Sequence, residues 1–142
     1  MAKILIIDDE PNILLMLKKL LERNGYETEL AINGVEGIEM FKKSMHDLVI
    51  TDIIMPEKEG LETIREMKRI KSDLKIIAMS GGGRVSADSY LKIARIFGAS
   101  KLIAKPFSMK EMLLAVQELL NDEVTKTETR LTKPGGIGLD KE

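Results

Sequence analysis

Cysteine is absent from the 142-residue chain, so neither a disulfide framework nor a thiolate metal centre can form. Histidine is nearly absent: His46 stands alone, cannot build an imidazole cluster, and with no thiolate to join it zinc chemistry is effectively excluded. An excess of either charge is missing too. Lys and Arg total 22 against 23 acidic residues, and a net charge of -1 offers no broad basic field for nucleic acid, so no direct DNA binding by this chain is expected. Long hydrophobic runs are lacking as well. Ile4 to Ile7 is too short for a signal-peptide core and ends in acids, and no later run could span a bilayer, which makes a soluble cytoplasmic protein the expectation. Gly81-Gly82-Gly83 is not followed by the Lys-Ser or Lys-Thr of a phosphate loop, and the G-x-G-x-x-G fingerprint is absent, so nucleotide binding is not expected.

What is present, with 44% hydrophobic residues, suffices for one ordinary core and one domain. Short apolar runs alternate with helical patterns. Lys3 to Ile7 reads as a buried strand ending in Asp8, Asp9 and Glu10, with Pro11 suited to the first turn of a helix. Ile13, Leu17, Leu20 and Leu21 recur at helical spacing until Asn24-Gly25 stops the pattern. Glu27 to Ala31 reads as a short edge strand, and Val35, Ile38 and Phe41 mark a second amphipathic helix. The run Leu48 to Pro56 is apolar, β-branched and stopped by proline, which suits a strand buried on both faces that delivers Asp52 to its far end. A third helix follows through Leu61, Ile64, Met67 and Lys68, then a fourth strand over Leu74 to Met79 that ends at Ser80. Ser86 or Asp88 can cap a helix running to about Phe97, in which Ile93 and Ile96 widen the apolar surface. Lys101 to Ala104 is a brief fifth strand, and Ser108 with Glu111 fits a capping box for the last helix, whose inward face is Met112, Val116 and Leu119 or Leu120. From Glu123 the periodicity ends. Residues 1–122 are expected to form the domain and 123–142 a mobile tail.

Strands alternating with helices demand an α/β domain, a parallel sheet with helices on both faces. If the five strands take the flavodoxin-like order 2-1-3-4-5, Asp8, Asp9 and Asp52 meet at the carboxyl edge, where such folds place ligands. Like charges in a partly desolvated crevice repel, so the cluster must raise some of its pKa values or bind a cation, and hard, oxygen-seeking Mg²⁺ is the natural neutraliser. Asp52 is then a candidate carboxylate nucleophile for phosphoryl transfer, with Lys105 and Ser80 bringing a positive charge and a hydroxyl from neighbouring strand ends. Any one of these residues alone reads as an ordinary cap or loop residue; their company promotes them. His46 falls at the opposite end of the sheet, and a surface role is expected for it. The methionines at 40, 67 and 112 sit at core spacing as gap-fillers.

The ordered set Asp8-Asp9, Asp52 with Met55-Pro56 and Gly60, Ser80, Gly98-Ala99, and Lys105-Pro106-Phe107 resembles the receiver domain of two-component response regulators, over Lys3 to about Asn121. The resemblance implies that Asp52 accepts a phosphoryl group from a histidine kinase, a histidine phosphotransfer protein or a small acyl phosphate. It further implies that Asp8 and Asp9 hold Mg²⁺ directly or through water, joined by Asp52 and the backbone carbonyl of Ile54. Ser80 would approach the phosphoryl group, Lys105 would pair with it, and the Lys105-Pro106 bond would be cis.

The chain departs from the family pattern in three places. Leu102 stands where many receivers carry a switch aromatic, so signalling is expected to run through the loop and helix after β-strand four. The segment from Ser80 to Gly98 is longer than is common and opens with three glycines, which implies mobility before phosphorylation. No output domain is seen after the receiver, and the expected route to a protein target is the Ser86–Phe97 helix with strand five and the last helix. The leading expectation is a stand-alone switch that catalyses only its own phosphorylation and dephosphorylation. The rivals are a Mg²⁺-dependent phosphohydrolase using Asp52 and a phosphate-independent docking module.

Overall fold

The computed structural model describes residues 1–53, 59–81, 92 and 95–132. The elements, in chain order, are β1 (Lys3–Ile7), α1 (Pro11–Arg23), β2 (Glu27–Ala31), α2 (Gly34–Ser44), β3 (Leu48–Asp52), α3 (Glu59–Ile70), β4 (Lys75–Gly81), β5 (Lys101–Lys105) and α4 (Met109–Thr132). All strand pairs are parallel and the order is β2-β1-β3-β4-β5, the flavodoxin-like arrangement expected. Lys92 and Arg95 to Phe97 are helical, Ile96 being exposed and Phe97 partly buried; the remainder of the helix expected over 86–97, including both candidate caps, lies outside the described residues.

The sheet divides two cores. Because side chains alternate across a strand, Ile4, Ile6, Leu48, Ile50, Ile77 and Met79 pack under α1 and α4 against Leu14, Leu17, Met112 and Val116. Leu5, Ile7, Val49, Ile76 and Ala78 pack on the other face against Phe41 of α2 and Ile64 and Met67 of α3. Burial on both faces is why β1 and β3 read as unbroken apolar runs and β2, at the edge, does not. α1 begins at Pro11, whose missing N–H is no loss in a first turn, and ends in a Schellman motif. There Tyr26 N–H donates to Leu21 O at 3.1 Å and Gly25 N–H to Glu22 O at 3.2 Å, with Gly25 at φ +89°.

Several inward faces differ from the spacing argument. In α1 the buried line is Leu14, Leu17 and Leu21, with Ile13 and Leu20 only partly covered. Val35 in α2 is 65% exposed; the face toward the sheet is Gly34, Gly37 and Phe41. Gly37 is the reason, since a Cβ there would overlap the Ile7 side chain, so the helix settles onto β1 at its glycine and turns Val35 outward. α2 also has a cap that spacing alone missed: Asn33 Oδ1 accepts from Glu36 N–H at 2.8 Å, and Glu36 Oε1 accepts from Ile32 N–H at 3.0 Å. At α4 the expected Ser108 cap is present, accepting from Glu111 N–H at 3.0 Å.

One further expectation changes, and one helix is longer than its apolar pattern. His46 is fully buried rather than on the surface: its ring stacks near Phe41, with centroids 6.1 Å apart, and Nε2 lies 2.6 Å from Glu29 Oε1 on the edge strand. Helix α4 runs on to Thr132, ten residues beyond the expected domain end at Asp122, while 133–142 lie outside the described residues. An apolar period reports packing, and a backbone helix can continue without one.

Candidate acidic site at the carboxyl edge of the sheet

Strand register assembles the site. Ile7 lies opposite Thr51, so Asp8 and Asp52 emerge side by side one residue further on. Asp52 lies opposite Met79 and Ser80 opposite Ala104, which brings Ser80 and then Lys105 to the same edge. Asp8, Asp52 and Ser80 are all buried. Helix α3 closes tightly behind the central acid: a Cβ on Gly60 would overlap the Asp52 carbonyl oxygen and Ile53 Cα, so only glycine permits this approach.

Lys105 clasps the acids. Its Nζ donates to Asp8 Oδ2 at 2.8 Å, Asp52 Oδ2 at 3.0 Å and Glu10 Oε1 at 3.1 Å. Its alkyl stem lies across Gly81, where an added Cβ would come to 3.3 Å of Lys105 Cδ. The second oxygen of Asp8 accepts the Glu10 backbone N–H at 2.8 Å. Burial pushes the Asp8 carboxyl above its usual range, against the opposing pull of the Lys105 hydrogen bond and the Glu10 N–H. Burial alone would lower Lys105, but its hydrogen bonds to Asp8 and Asp52 outweigh that and hold its pKa above the ordinary lysine value. The lysine therefore stays a cation through the physiological range.

Asp8, Glu10 and Asp52 each offer one oxygen such that all three lie within 4.8 Å of one another. Three carboxylates facing one ammonium carry a surplus of negative charge, and an all-oxygen donor set of this size fits a hard divalent cation. Asp9, expected beside Asp8, is exposed and not part of this group of three, and Ile54 lies outside the described residues. Glu10 stands where Asp9 was expected. No spacing signal points to it: the chain bends at Asp9, and the turn in which Glu10 N–H donates to Asp8 Oδ1 carries the side chain to Lys105. The Lys105-Pro106 bond is cis, as the resemblance implies. Leu102 is partly buried against the α2–α3 core and lines a groove between β5 and α4 with Leu114 and Ala115.

Fold and site together define a doubly wound α/β domain with a lysine-clasped acidic crevice at its carboxyl edge. Residues 4–117 match the family model described as the response regulator receiver domain. The chain is 37% identical over 120 residues to the chemotaxis protein CheY of Bacillus subtilis, covering 84% of this chain and 98% of that protein. It is 34% identical over 120 residues to the response regulator MprA of Mycobacterium ulcerans, covering 84% of this chain but only 50% of that protein, so it spans about half the length of that relative. A solved receiver domain protein from Clostridium thermocellum superposes with a TM-score of 0.78 at 33% identity, covering 88% of this chain and 98% of that one. The chain belongs to the response regulator receiver domain family.

Proposed function

We propose that this receiver takes a phosphoryl group onto Asp52 and so switches a protein-binding surface. The observation that carries the reading is the buried Asp52 carboxylate held 3.0 Å from the Lys105 ammonium, with Asp8 and Ser80 at the same edge. An Asp52 oxygen would attack the phosphorus of a phosphohistidine; the new O–P bond forms as the P–N bond breaks, and the imidazole leaves with a proton from solvent, giving a mixed anhydride on Asp52. Lys105 would pair with a phosphoryl oxygen and Ser80 would donate its hydroxyl to another. Asp8 and Asp52, with Glu10 beside them and with Asp9 and the Ile54 carbonyl as the family resemblance implies, are the residues that would hold Mg²⁺. When bound, the cation supplies charge neutralisation between carboxylate and phosphoryl oxygens.

On this reading the protein is a switch rather than a metabolic enzyme, catalysing only its own phosphorylation and, more slowly, dephosphorylation. Its donor is a histidine kinase or a histidine phosphotransfer protein, it works in the cytoplasm, and residues 1–122 carry the function. The output surface is the segment before Gly98 with β5 and α4, where Ile96 is 77% and Leu114 is 49% exposed. Among the described residues no helix is long and apolar enough to cross a membrane.

The deciding experiment is incubation with Mg²⁺ and a small acyl phosphate or a phosphorylated histidine kinase, followed promptly by intact mass. One added phosphoryl group that is lost in Asp52→Asn and in chelated samples supports the reading. No gain from either type of donor favours a phosphate-independent docking module, for which Leu102 is the supporting observation. Rapid turnover of a generic phosphate ester, abolished by Asp52→Asn, would favour the phosphohydrolase.

A further inference from the structure

One member of the clasp around Lys105 differs from the other two in being exposed. Glu10 has 61% of its side chain exposed, yet its carboxylate lies 3.1 Å from the Lys105 ammonium. It occupies the N-cap of α1 in extended conformation, φ -96° and ψ 111°, and makes no side-chain capping hydrogen bond there. Short polar N-cap residues, Ser, Thr, Asp and Asn, turn their oxygens onto the first backbone N–H groups of the helix, a role the longer glutamate does not take here. In Glu10 the backbone N–H serves Asp8 at 2.8 Å, and the carboxylate reaches the lysine instead.

We propose that Glu10 is a positioning residue that competes with the phosphoryl group for Lys105 and biases the site toward its cation-bound, unphosphorylated state. The inference rests on the phosphoryl-accepting reading of Asp52. An ammonium has three N–H donors, and those of Lys105 are matched by Asp8, Asp52 and Glu10. For the lysine to turn one donor onto a phosphoryl oxygen at Asp52, a carboxylate must be released. Asp8 and Asp52 are buried while Glu10 is largely exposed, so Glu10 is the carboxylate whose lost bond solvent replaces most readily. Until it is released, Glu10 occupies an N–H donor that a phosphoryl oxygen would otherwise take. Its own charge, within 4.8 Å of an oxygen on each of the other two acids, attracts a cation and repels an incoming anion.

The two effects have opposite signs, and a merely structural role would not produce that. The test uses the full chain and its Glu10→Gln variant, with equilibrium binding as the readout. Mg²⁺ affinity is measured by titration calorimetry. Affinity for trifluoroberyllate, an analogue of the phosphoryl group, is then measured by ¹⁹F NMR with Mg²⁺ held well above each protein's own Kd. Glu10→Gln is expected to weaken Mg²⁺ binding and to tighten trifluoroberyllate binding, each by roughly three- to ten-fold for the loss of one nearby unit charge. Glu10→Asp keeps the charge and should hold Mg²⁺ affinity within about two-fold of the parent. Glu66→Gln, on the exposed face of α3, removes the same formal charge and should move neither constant. Both affinities weakening in Glu10→Gln, neither moving, or Glu66→Gln matching it would overturn the proposal. Failure of the unaltered protein to bind either ligand would instead sink the phosphoryl-accepting reading, and this inference with it.

Discussion

Replacing Lys105 with methionine removes the ammonium while keeping an unbranched stem to lie across Gly81. The carboxylates it clasps then face one another uncompensated. Glu10, exposed, can swing into solvent, but Asp8 and Asp52 are fixed by burial and remain within 4.8 Å. Two unit charges at that distance repel by about 3.5 kcal/mol at an effective dielectric of ~20. That agrees with the ~3–5 kcal/mol typical of stripping one partner from a buried ion pair. Lys105→Met should therefore lower stability in chelated buffer by about 3 kcal/mol, or roughly 10 °C in Tm for a domain of this size. Urea unfolding with and without Mg²⁺ measures both halves of the argument. The variant should regain more stability from Mg²⁺ than the parent does, because the cation then supplies the compensating charge that Lys105 had provided. An unchanged or raised stability in chelator would refute the account, since it would mean that the acids do not need the lysine.

Other perturbations follow from the same geometry. In the unaltered protein Mg²⁺ should raise Tm with the logarithm of its concentration above Kd, worth about 2.7 kcal/mol at one hundred times Kd, and a flat melting curve across the titration would remove the metal from the site. Gly60→Ala forces α3 away from the Asp52 carbonyl, and a loss of about 1–3 kcal/mol with slower labelling of Asp52 by acyl phosphate is expected; parent-like behaviour in both would show that the helix has room to spare. Burial holds the His46 pKa below its ordinary value, against the raising effect of Glu29, and its Nδ1 has no partner among the described residues, so a proton there would leave a buried N–H unsatisfied. The folded state thus prefers the neutral ring: the stabilisation is complete above pH ~6.5 and is lost as pH falls toward the depressed value. His46→Phe should flatten the stability profile between pH 7 and 5, and an unchanged slope in that variant would assign the acid sensitivity elsewhere.

Much of this molecule is legible from residue order because each buried strand must be apolar on both faces and must end abruptly where it meets the crevice. Asp8, Asp52, Ser80 and Lys105 are conspicuous as the polar residues that terminate such runs, and register then brings them together. Glu10 was not conspicuous, since an acid before Pro11 reads as a helix cap and only the three-dimensional course of the turn directs it to Lys105. The rotation of α2 depends on contact between Gly37 and Ile7, a pairing across the sheet–helix interface that helical spacing cannot supply. The burial of His46 depends on Glu29, a partner 17 residues earlier on another strand, without which a polar residue ahead of β3 looks like solvent-facing loop.

The clasp also bears on how the molecule is made. Lys105 closes contacts with partners 97 and 53 residues earlier in the chain. At synthesis rates of ~5–20 residues per second, Asp52 precedes its lysine by roughly 3–10 s on the ribosome. During that interval a nascent chain carries the acidic pair without its counter-charge and without the edge strand that seals one core. The acidic crevice is thereby completed only when β5 has been added, so a product terminated before Lys105 lacks the counter-charge that closes the clasp.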